Sequence, residues 1–323
     1  MIAPDVSVIV VSFNTRAYLA RSLVAIPRAA GSLQVEIIVV DNGSADGTLA
    51  MLAAEFPQVR VIQSSENLGF ARACNLGAQS ARARALLLLN SDCELSPGAL
   101  AAMLVELEAD TTLGGVLCRL LNPDGTLQPS VHRSFPSPWS LVGELFFQSS
   151  LRHAIYRHPT LNARLLRRTA RAHEKVHNVA WGGGACVLIR RDVFETVGGF
   201  DERFFMYCED IDLCKRIHDA GYQLRYLPGP SAVHHWGKSS EQLPALMLRE
   251  AYRSRVYYFE KHFPGWVGRL ARALSVIELA LRQAAFAALA LLPSASRAVF
   301  RDRASASAAC RRVLLGPGHG DTH

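Results

Sequence analysis

The stretch Ala85-Leu86-Leu87-Leu88-Leu89-Asn90-Ser91-Asp92 runs five apolar residues straight into a polar turn that ends in a carboxylate. A continuous apolar run of this length, closed by Asn-Ser-Asp and then by Ser96-Pro97-Gly98, predicts a strand buried on both faces of a parallel sheet. In open α/β sheets the ligand site lies beyond the carboxyl ends of the strands. Asp92 therefore stands where a hard cation or a phosphate would be handled. The alternative is that Asn90 and Asp92 cap the helix expected from Pro97.

The preceding segments repeat the pattern. Val6-Ser7-Val8-Ile9-Val10-Val11 is short and β-branched, ends in Ser12-Phe13-Asn14-Thr15, and leads to a helix from Arg16 to about Ala25. Val35-Glu36-Ile37-Ile38-Val39-Val40 stops at Asp41-Asn42-Gly43-Ser44 and feeds a helix from Asp46 to Phe56. Val59 to Ile62 is a third strand, and Asn67-Leu68-Gly69-Phe70 opens a helix through Ser80. Strands alternating with helices at this spacing predict βαβ units, an α/β fold and a mostly parallel sheet flanked by helices. No GxGxxG follows the first strand and no GxxxxGK[ST] occurs, which counts against a dinucleotide-binding dehydrogenase and a P-loop enzyme. What recurs is a polar residue at each strand end: Ser12 and Asn14, Asp41, Asn90 and Asp92. Asp41, an acceptor-only carboxylate, suits ribose hydroxyls or a base N–H; equally, it would form an Asx-turn into Gly43. Asn67, Arg72 and Asn75 lie on or near a helix N-terminus, where backbone donors favour phosphate. For Arg72 a solvated surface position is the alternative.

Half of the 323 residues are apolar, enough for a large core, and the net charge of +7 points to an anionic partner. Without an RNA-binding aromatic signature, helix-turn-helix or zinc-finger spacing, nucleic acid ranks last among such partners. Seven cysteines without a CxxC pair favour a reducing compartment. The N-terminus starts a strand with no charged-then-apolar leader, so no signal peptide is expected.

Beyond Asp92 a helix from Pro97 to Asp110 precedes a strand at Gly114–Cys118, and Asn122-Pro123-Asp124-Gly125 predicts a hairpin tip. Residues 131–178 carry Arg152, Arg157, Arg164, Arg167, Arg168, Arg171 and Lys175, read as a surface insertion or lid. Trp181-Gly182-Gly183-Gly184 is a glycine turn into a strand, where backbone can approach a ligand. Glu209, Asp210 and Asp212 then stand together at the start of a helix running to Gly221. The helix dipole favours acidic residues there, yet three carboxylates after an aromatic loop exceed what capping requires. His234-His235 follows the strand that begins at Gln223 and is a candidate for a metal ligand or a diphosphate contact.

Taken in order, these segments resemble the family 2 glycosyltransferases with a GT-A fold, in particular the bacterial rhamnosyltransferase-like branch that builds cell-surface polysaccharides. The resemblance rests on Val8–Asn14, Val39-Val40-Asp41-Asn42-Gly43-Ser44, Asn67-Leu68-Gly69-Phe70-Ala71 with Asn75, and Leu88-Leu89-Asn90-Ser91-Asp92. It continues through Gly184-Ala185, Gly199-Phe200-Asp201-Glu202, Phe205 to Cys214 and Val233-His234-His235. It implies a nucleotide-sugar donor held by Ser12, Asn14 and Asp41, with Asn67, Arg72 and Asn90 on the same side. Mg2+ or Mn2+ would sit at the family's Asp-x-Asp position, here Asn90-Ser91-Asp92. Asn departs from the pattern at the first site, so Asp92 is the firmer ligand, with His234 as a second. Asp210 matches the catalytic base, while Trp181, Gly183, Glu209 and Asp212 would contact the acceptor or support the site.

The implied reaction is an inverting, metal-dependent transfer from dTDP-rhamnose or a UDP-sugar. The acceptor would be a hydroxyl of a glycan or of a polyprenyl-diphosphate-linked sugar. A sugar-1-phosphate nucleotidyltransferase would need a Gly-rich, Lys/Arg-bearing loop after the first strand, which Ser12-Phe13-Asn14-Thr15-Arg16 lacks. An inert scaffold of a polysaccharide assembly complex is the non-enzymatic alternative; the presence of both Asp92 and Asp210 speaks against it. Residues 1–243 are expected to form the catalytic domain, 244–292 a helical region and 293–323 a loose end. From Trp266 to Leu292 the polar residues Arg269, Arg272, Ser275, Glu278 and Arg282 form one stripe on an otherwise apolar helix. Such a helix fits an anionic membrane surface, placing the protein in the cytoplasm and peripherally on the inner membrane, or packs on protein.

Overall fold

A computed structural model describes residues 3–141, 173–235, 237–238, 240–291 and 296–316. The cluster from Arg152 to Arg171 lies outside the described residues. Numbered among those residues, the strands are β1 Val6–Ser12, β2 Val35–Asp41, β3 Arg60–Gln63, β4 Ala85–Asn90, β5 Cys93–Leu95, β6 Leu113–Leu121, β7 Leu127–Gln128, β8 Val131–His132, β9 His177–Val179, β10 Trp181–Gly182, β11 Cys186–Arg190 and β12 Gln223–His234. The helices are α1 Arg16–Ala30, α2 Thr48–Glu55, α3 Phe70–Gln79, α4 Ala99–Ala109, α5 Arg191–Thr196, α6 Glu209–Asp219, α7 Pro244–His262, α8 Gly265–Leu289 and α9 Arg297–Leu315.

The main sheet has the order β3-β2-β1-β4-β11-β6-β12-β5. Among these eight, β11 and β5 run against the other six, and the short β7 and β9 add antiparallel pairings to β6 and β12, so the main order is mostly parallel. The leucine run of β4 is continuous because both its faces are covered. Leu87 and Leu89 join Val6, Val8 and Val10 in a cluster with Leu19 and Leu23 of α1 and Leu100 and Met103 of α4. Leu86 and Leu88 face the other way, with Ile9, against Phe70 and Cys74 of α3 and Leu213 and Ile217 of α6. Each fully buried leucine contributes on the order of 2 kcal/mol.

The chain moves outward from β1 through β2 to β3, then returns across β1 to β4. That reversal is a topological switch point, and the crevice it opens lies at the carboxyl ends of β1 and β4. Register places Ser12 opposite Asp41, and Val11 opposite Asn90, at that same edge. The Asn122 turn closes a β6–β7 hairpin, Leu121 pairing with Leu127. A register shift between Leu227 and Ser231 lets β12 continue to His234, which pairs with Cys93 of β5, one residue after Asp92.

The described residues form two compact units. One is drawn from Met1–Phe135, Leu166–Phe205 and Glu209–Gln242 and contains the sheet; the other includes Leu243–His323. Within the second unit Tyr252, Val256, Leu279, Cys310 and Leu314 of α7, α8 and α9 share a core. Residues 297–315, expected as part of a loose end, are helical because Ser307, Cys310 and Leu314 form a narrow buried stripe.

Apart from the exposed Arg269, the polar stripe of α8 packs inward. Ser275 and Glu278 are buried, Arg255 reaches them at 2.8 and 2.9 Å, and Arg272 pairs with Glu260 at 2.7 Å. Its apolar residues Trp266, Ile277, Leu281 and Leu289 are exposed instead. Among the described residues no helix is long and apolar enough to cross a membrane.

Candidate active site

The site is built from strand ends. Ser12 closes β1; its hydroxyl lies 3.1 Å from that of Thr15, which donates to Ser91 Oγ at 2.8 Å. This buried hydroxyl chain ties the loop after β1 to the loop after β4. Asn14 holds a left-handed backbone (φ +50°), its N–H donating to Ser44 Oγ and its Oδ1 accepting from Ala45 N–H. Asp41 is fully buried. Its Oδ2 accepts Ser44 N–H at 3.1 Å, three residues on rather than at the expected Gly43, while its Oδ1 has no partner among the described residues. A buried carboxylate oxygen left open costs roughly 1–3 kcal/mol or more, so this acceptor is poised for a ligand donor.

Asn67 and Arg72 are engaged by the protein. Asn67 Oδ1 accepts Gly69 N–H at 3.0 Å and Arg72 lies 3.8 Å from Glu202. Asn75 is held by both backbone groups of Phe200, at 2.8 and 2.9 Å. Gly69 is required where it stands: at φ +79° a Cβ would come within 2.4 Å of the Phe205 carbonyl.

Asp92 and His234 meet beyond the end of β4. His234 Nε2 lies 3.3 Å from Asp92 Oδ1 and 3.4 Å from Asn90 Nδ2. Asp92 Oδ2 accepts Lys238 N–H at 3.3 Å, and both side chains are at least nine-tenths buried. Burial alone would push the Asp92 carboxyl up; hydrogen bonding and charge from His234, with the Lys238 N–H, outweigh it and hold it below its usual range. His235 turns away to Glu94, at 2.7 Å, and packs against Tyr18. An oxygen and an imidazole nitrogen this close are a donor set that suits Mn2+ or Mg2+. Among the described residues no third His, Cys, Asp or Glu joins them, so a cation held here would need Asn90, water or a ligand's phosphates as further partners.

Asp210 lies in the first turn of α6. Its Oδ2 accepts Gly184 N–H at 3.1 Å and its Oδ1 accepts Ile211 N–H at 2.8 Å. The next residue, Ala185, accepts Asn90 N–H through its carbonyl at 2.9 Å. One short backbone step thus links Asp210 to the end of β4. Burial pushes the Asp210 carboxyl above its usual range, and the backbone N–H bonds only partly offset this. Two left-handed residues, Tyr207 (φ +69°) and Cys208 (φ +64°), lead into the helix, and each such conformation costs of order 1 kcal/mol or more.

The neighbouring acids differ. Glu209 is buried with Oε2 unpartnered among the described residues, and burial followed by the Asp210 charge pushes its carboxyl well up. Asp212 is fully buried and paired with Arg216 at 2.8 Å, which is a structural role within α6. Trp181 stacks on His132 at 3.8 Å and donates Nε1–H to Ser134 O; Gly183 N–H donates to Ser130 O.

Sequence comparison identifies the family. The pattern of glycosyl transferase family 2 covers residues 7–198, and that of the N-terminal domain of galactosyltransferase covers 165–238. The chain belongs to glycosyl transferase family 2. It is 30% identical, over 80% of its length and 85% of the relative's, to the N-acetylglucosaminyl-diphospho-decaprenol L-rhamnosyltransferase of Mycobacterium tuberculosis. Among solved structures it resembles the mannosyltransferase PcManGT of Pyrobaculum calidifontis in complex with GDP-Man and Mn2+. The TM-score is 0.55 at 20% identity, with 98% of this chain and 88% of that one covered. GalNAc-T7 with UDP, GalNAc and Mn2+ gives a TM-score of 0.53 at 17% identity, covering 78% of this chain and 47% of that one. These likenesses carry the GT-A fold, and the family makes the protein a glycosyltransferase of the rhamnosyltransferase-like kind.

Sequence reasoning missed Thr15, Ser91, Gln128 and the backbone donors of Gly184 and Lys238. The two N–H groups have no residue-type signal, and the hydroxyls become informative only once β1 and β4 are known to be neighbours.

Proposed function

We propose that this family 2 enzyme is an inverting, metal-dependent glycosyltransferase acting on a nucleoside-diphosphate sugar and a polyprenyl-diphosphate-linked acceptor. The observation that carries the reading is Asp210, held by Gly184 N–H one residue from the Ala185 carbonyl that meets Asn90. Asp41 Oδ1, open and buried, accepts a ribose hydroxyl or base N–H, with Ser12 and Asn14 shaping the same edge. Asp92 and His234 would hold Mg2+ or Mn2+, which when bound neutralises charge on a departing nucleoside diphosphate. Asp210 takes the proton of the acceptor hydroxyl as its oxygen attacks the anomeric carbon. A single base with in-line displacement inverts that carbon. The raised Asp210 carboxyl makes it a better proton acceptor than an ordinary aspartate.

The Mycobacterium relative's name supports L-rhamnose as the sugar and an N-acetylglucosaminyl-diphospho-polyprenol as the acceptor class. An acceptor with a polyprenyl chain resides in a bilayer. The exposed face of α8, with Trp266, Ile277, Leu281 and Leu289 beside Arg269, is the surface we assign to the cytoplasmic face of an anionic membrane. We further assign residues 1–243 as the catalytic domain.

Incubation of the full chain with dTDP-rhamnose or UDP-sugars, a GlcNAc-diphospho-polyprenol acceptor and Mn2+ tests the reading by mass spectrometry. A product heavier by one sugar, abolished by EDTA, is expected. Donor breakdown without any acceptor gain across these sugars would contradict it.

A further inference from the structure

The Asn122–Thr126 turn does more than close the β6–β7 hairpin. From it, four side chains lead to His234 in a single donor-to-acceptor order. Asp124 Oδ1 accepts the Thr126 hydroxyl at 2.6 Å and the Thr126 N–H at 2.9 Å. With its proton committed to a carboxylate, Thr126 Oγ1 can only accept, and Asn122 Nδ2 donates to it at 2.9 Å. That turns Asn122 Oδ1 toward Gln128, whose Nε2 donates to it at 3.1 Å. Gln128 Oε1 is then the atom left 2.8 Å from His234 Nδ1. The order starts from a group that has no proton to give, so the amide orientations follow from chemistry.

An acceptor facing Nδ1 holds a proton there, so whenever the ring is neutral its lone pair lies on Nε2. Nε2 is the atom 3.3 Å from Asp92 Oδ1. Two acceptors at that separation repel unless a proton or a cation lies between them.

We propose that Gln128, fixed by the Asn122–Thr126 turn, is a positioning residue that keeps the His234 proton on Nδ1 and presents Nε2 to a divalent cation shared with Asp92. Metal-ligating histidines generally donate their other ring N–H in this way, and loss of that partner costs about ten- to a hundredfold in metal affinity. The inference rests on the reading of Asp92 and His234 as the metal ligands.

The test uses the full chain with 15N-labelled histidine, as native protein and as Gln128→Leu, Gln128→Glu, Asn122→Ala and His234→Ala. Two quantities are read: the His234 protonation pattern by NMR above the ring's titration, and Mn2+ affinity with UDP present by calorimetry. Native protein should keep Nδ1 protonated. Gln128→Leu should move the proton to Nε2, toward Asp92, and weaken Mn2+ binding about ten- to a hundredfold. Gln128→Glu keeps an acceptor toward Nδ1 but cannot donate to Asn122 Oδ1, so it should hold the proton on Nδ1 and recover Mn2+ binding in part, while Asn122→Ala should shift both in the direction of Gln128→Leu by less. A neutral native ring protonated only on Nε2 would overturn the proposal, as would folded Gln128→Leu with native Mn2+ affinity. If His234→Ala weakens Mn2+ binding and Gln128→Leu does not, the positioning role alone fails. If His234→Ala also leaves the affinity unchanged, the metal reading fails with it.

Discussion

His234 Nε2 lies 3.3 Å from Asp92 Oδ1 because β12 pairs with β5, setting His234 opposite Cys93. Neither side chain belongs to the hydrophobic core, and each sits at a strand end. Asp92→Ala should therefore fold normally yet lose Mn2+-dependent donor binding by more than about a hundredfold, beyond what an outer-shell partner costs. Calorimetry with UDP and Mn2+, alongside circular dichroism, checks this. Unchanged affinity in a folded variant would remove Asp92 from the metal site.

Asp210 predicts a pH dependence. Its carboxyl is raised above the ordinary aspartate range by burial, and the base must be ionised. Activity should fall as pH drops through that raised value. The acid limb of the kcat/KM profile should thus lie above about 4, where a free aspartate titrates. A profile flat down to the usual aspartate range would place the base elsewhere.

Glu209 is expected to couple stability to pH. Burial, then the charge of Asp210, raises its carboxyl well above the usual range. The folded protein holds this proton more tightly than the unfolded chain does. Its contribution is therefore complete at low pH and is lost as pH rises through the folded value. Glu209→Gln keeps the neutral form at every pH, so it should melt higher than the native protein at neutral pH. The difference should shrink toward acid. Thermal unfolding across pH reads this directly, and a lower neutral-pH melting temperature would contradict it.

The sheet was legible because β1, β2 and β4 carry apolar side chains toward both layers of helices, and the polar residues that stop them mark the candidate site. The hairpin at Asn122 and the start of α6 at Glu209 were equally plain. Orientation was harder to read. Periodicity finds the stripe Arg272, Ser275, Glu278 and Arg282 on α8 but does not say whether it faces water or other helices. Here Arg255 and Glu260 lie on α7 to receive it. The Ser/Ala-rich stretch of α9 resembles a linker because small residues suffice to pack it. Asn67 and Arg72 stand near a helix N-terminus as a phosphate site would, and in the structure Asn67 also accepts Gly69 N–H while Arg72 lies 3.8 Å from Glu202.

The outward face of α8 gives its own test. Leu281 and Leu289 are exposed, and each leucine buried in a bilayer contributes on the order of 2 kcal/mol. Leu281→Glu with Leu289→Glu should weaken sedimentation with anionic vesicles by about tenfold or more, since a tenfold loss needs only about 1.4 kcal/mol. Donor breakdown in solution should stay close to native. Equal vesicle binding by the variant would exclude this face, and loss of a dimer in the same variant would assign it to self-association.

The most direct measurement is sugar transfer by Asp210→Asn set against its donor affinity. Asparagine keeps the shape and the capacity to accept Gly184 N–H, and it removes only the proton-accepting carboxylate. General-base catalysis contributes about a hundred- to ten-thousandfold, so transfer should fall by that much while calorimetric affinity for the Mn2+–nucleotide complex hardly changes. Near-native transfer by the folded variant would contradict the account, and Glu209 would then be the next carboxylate to test.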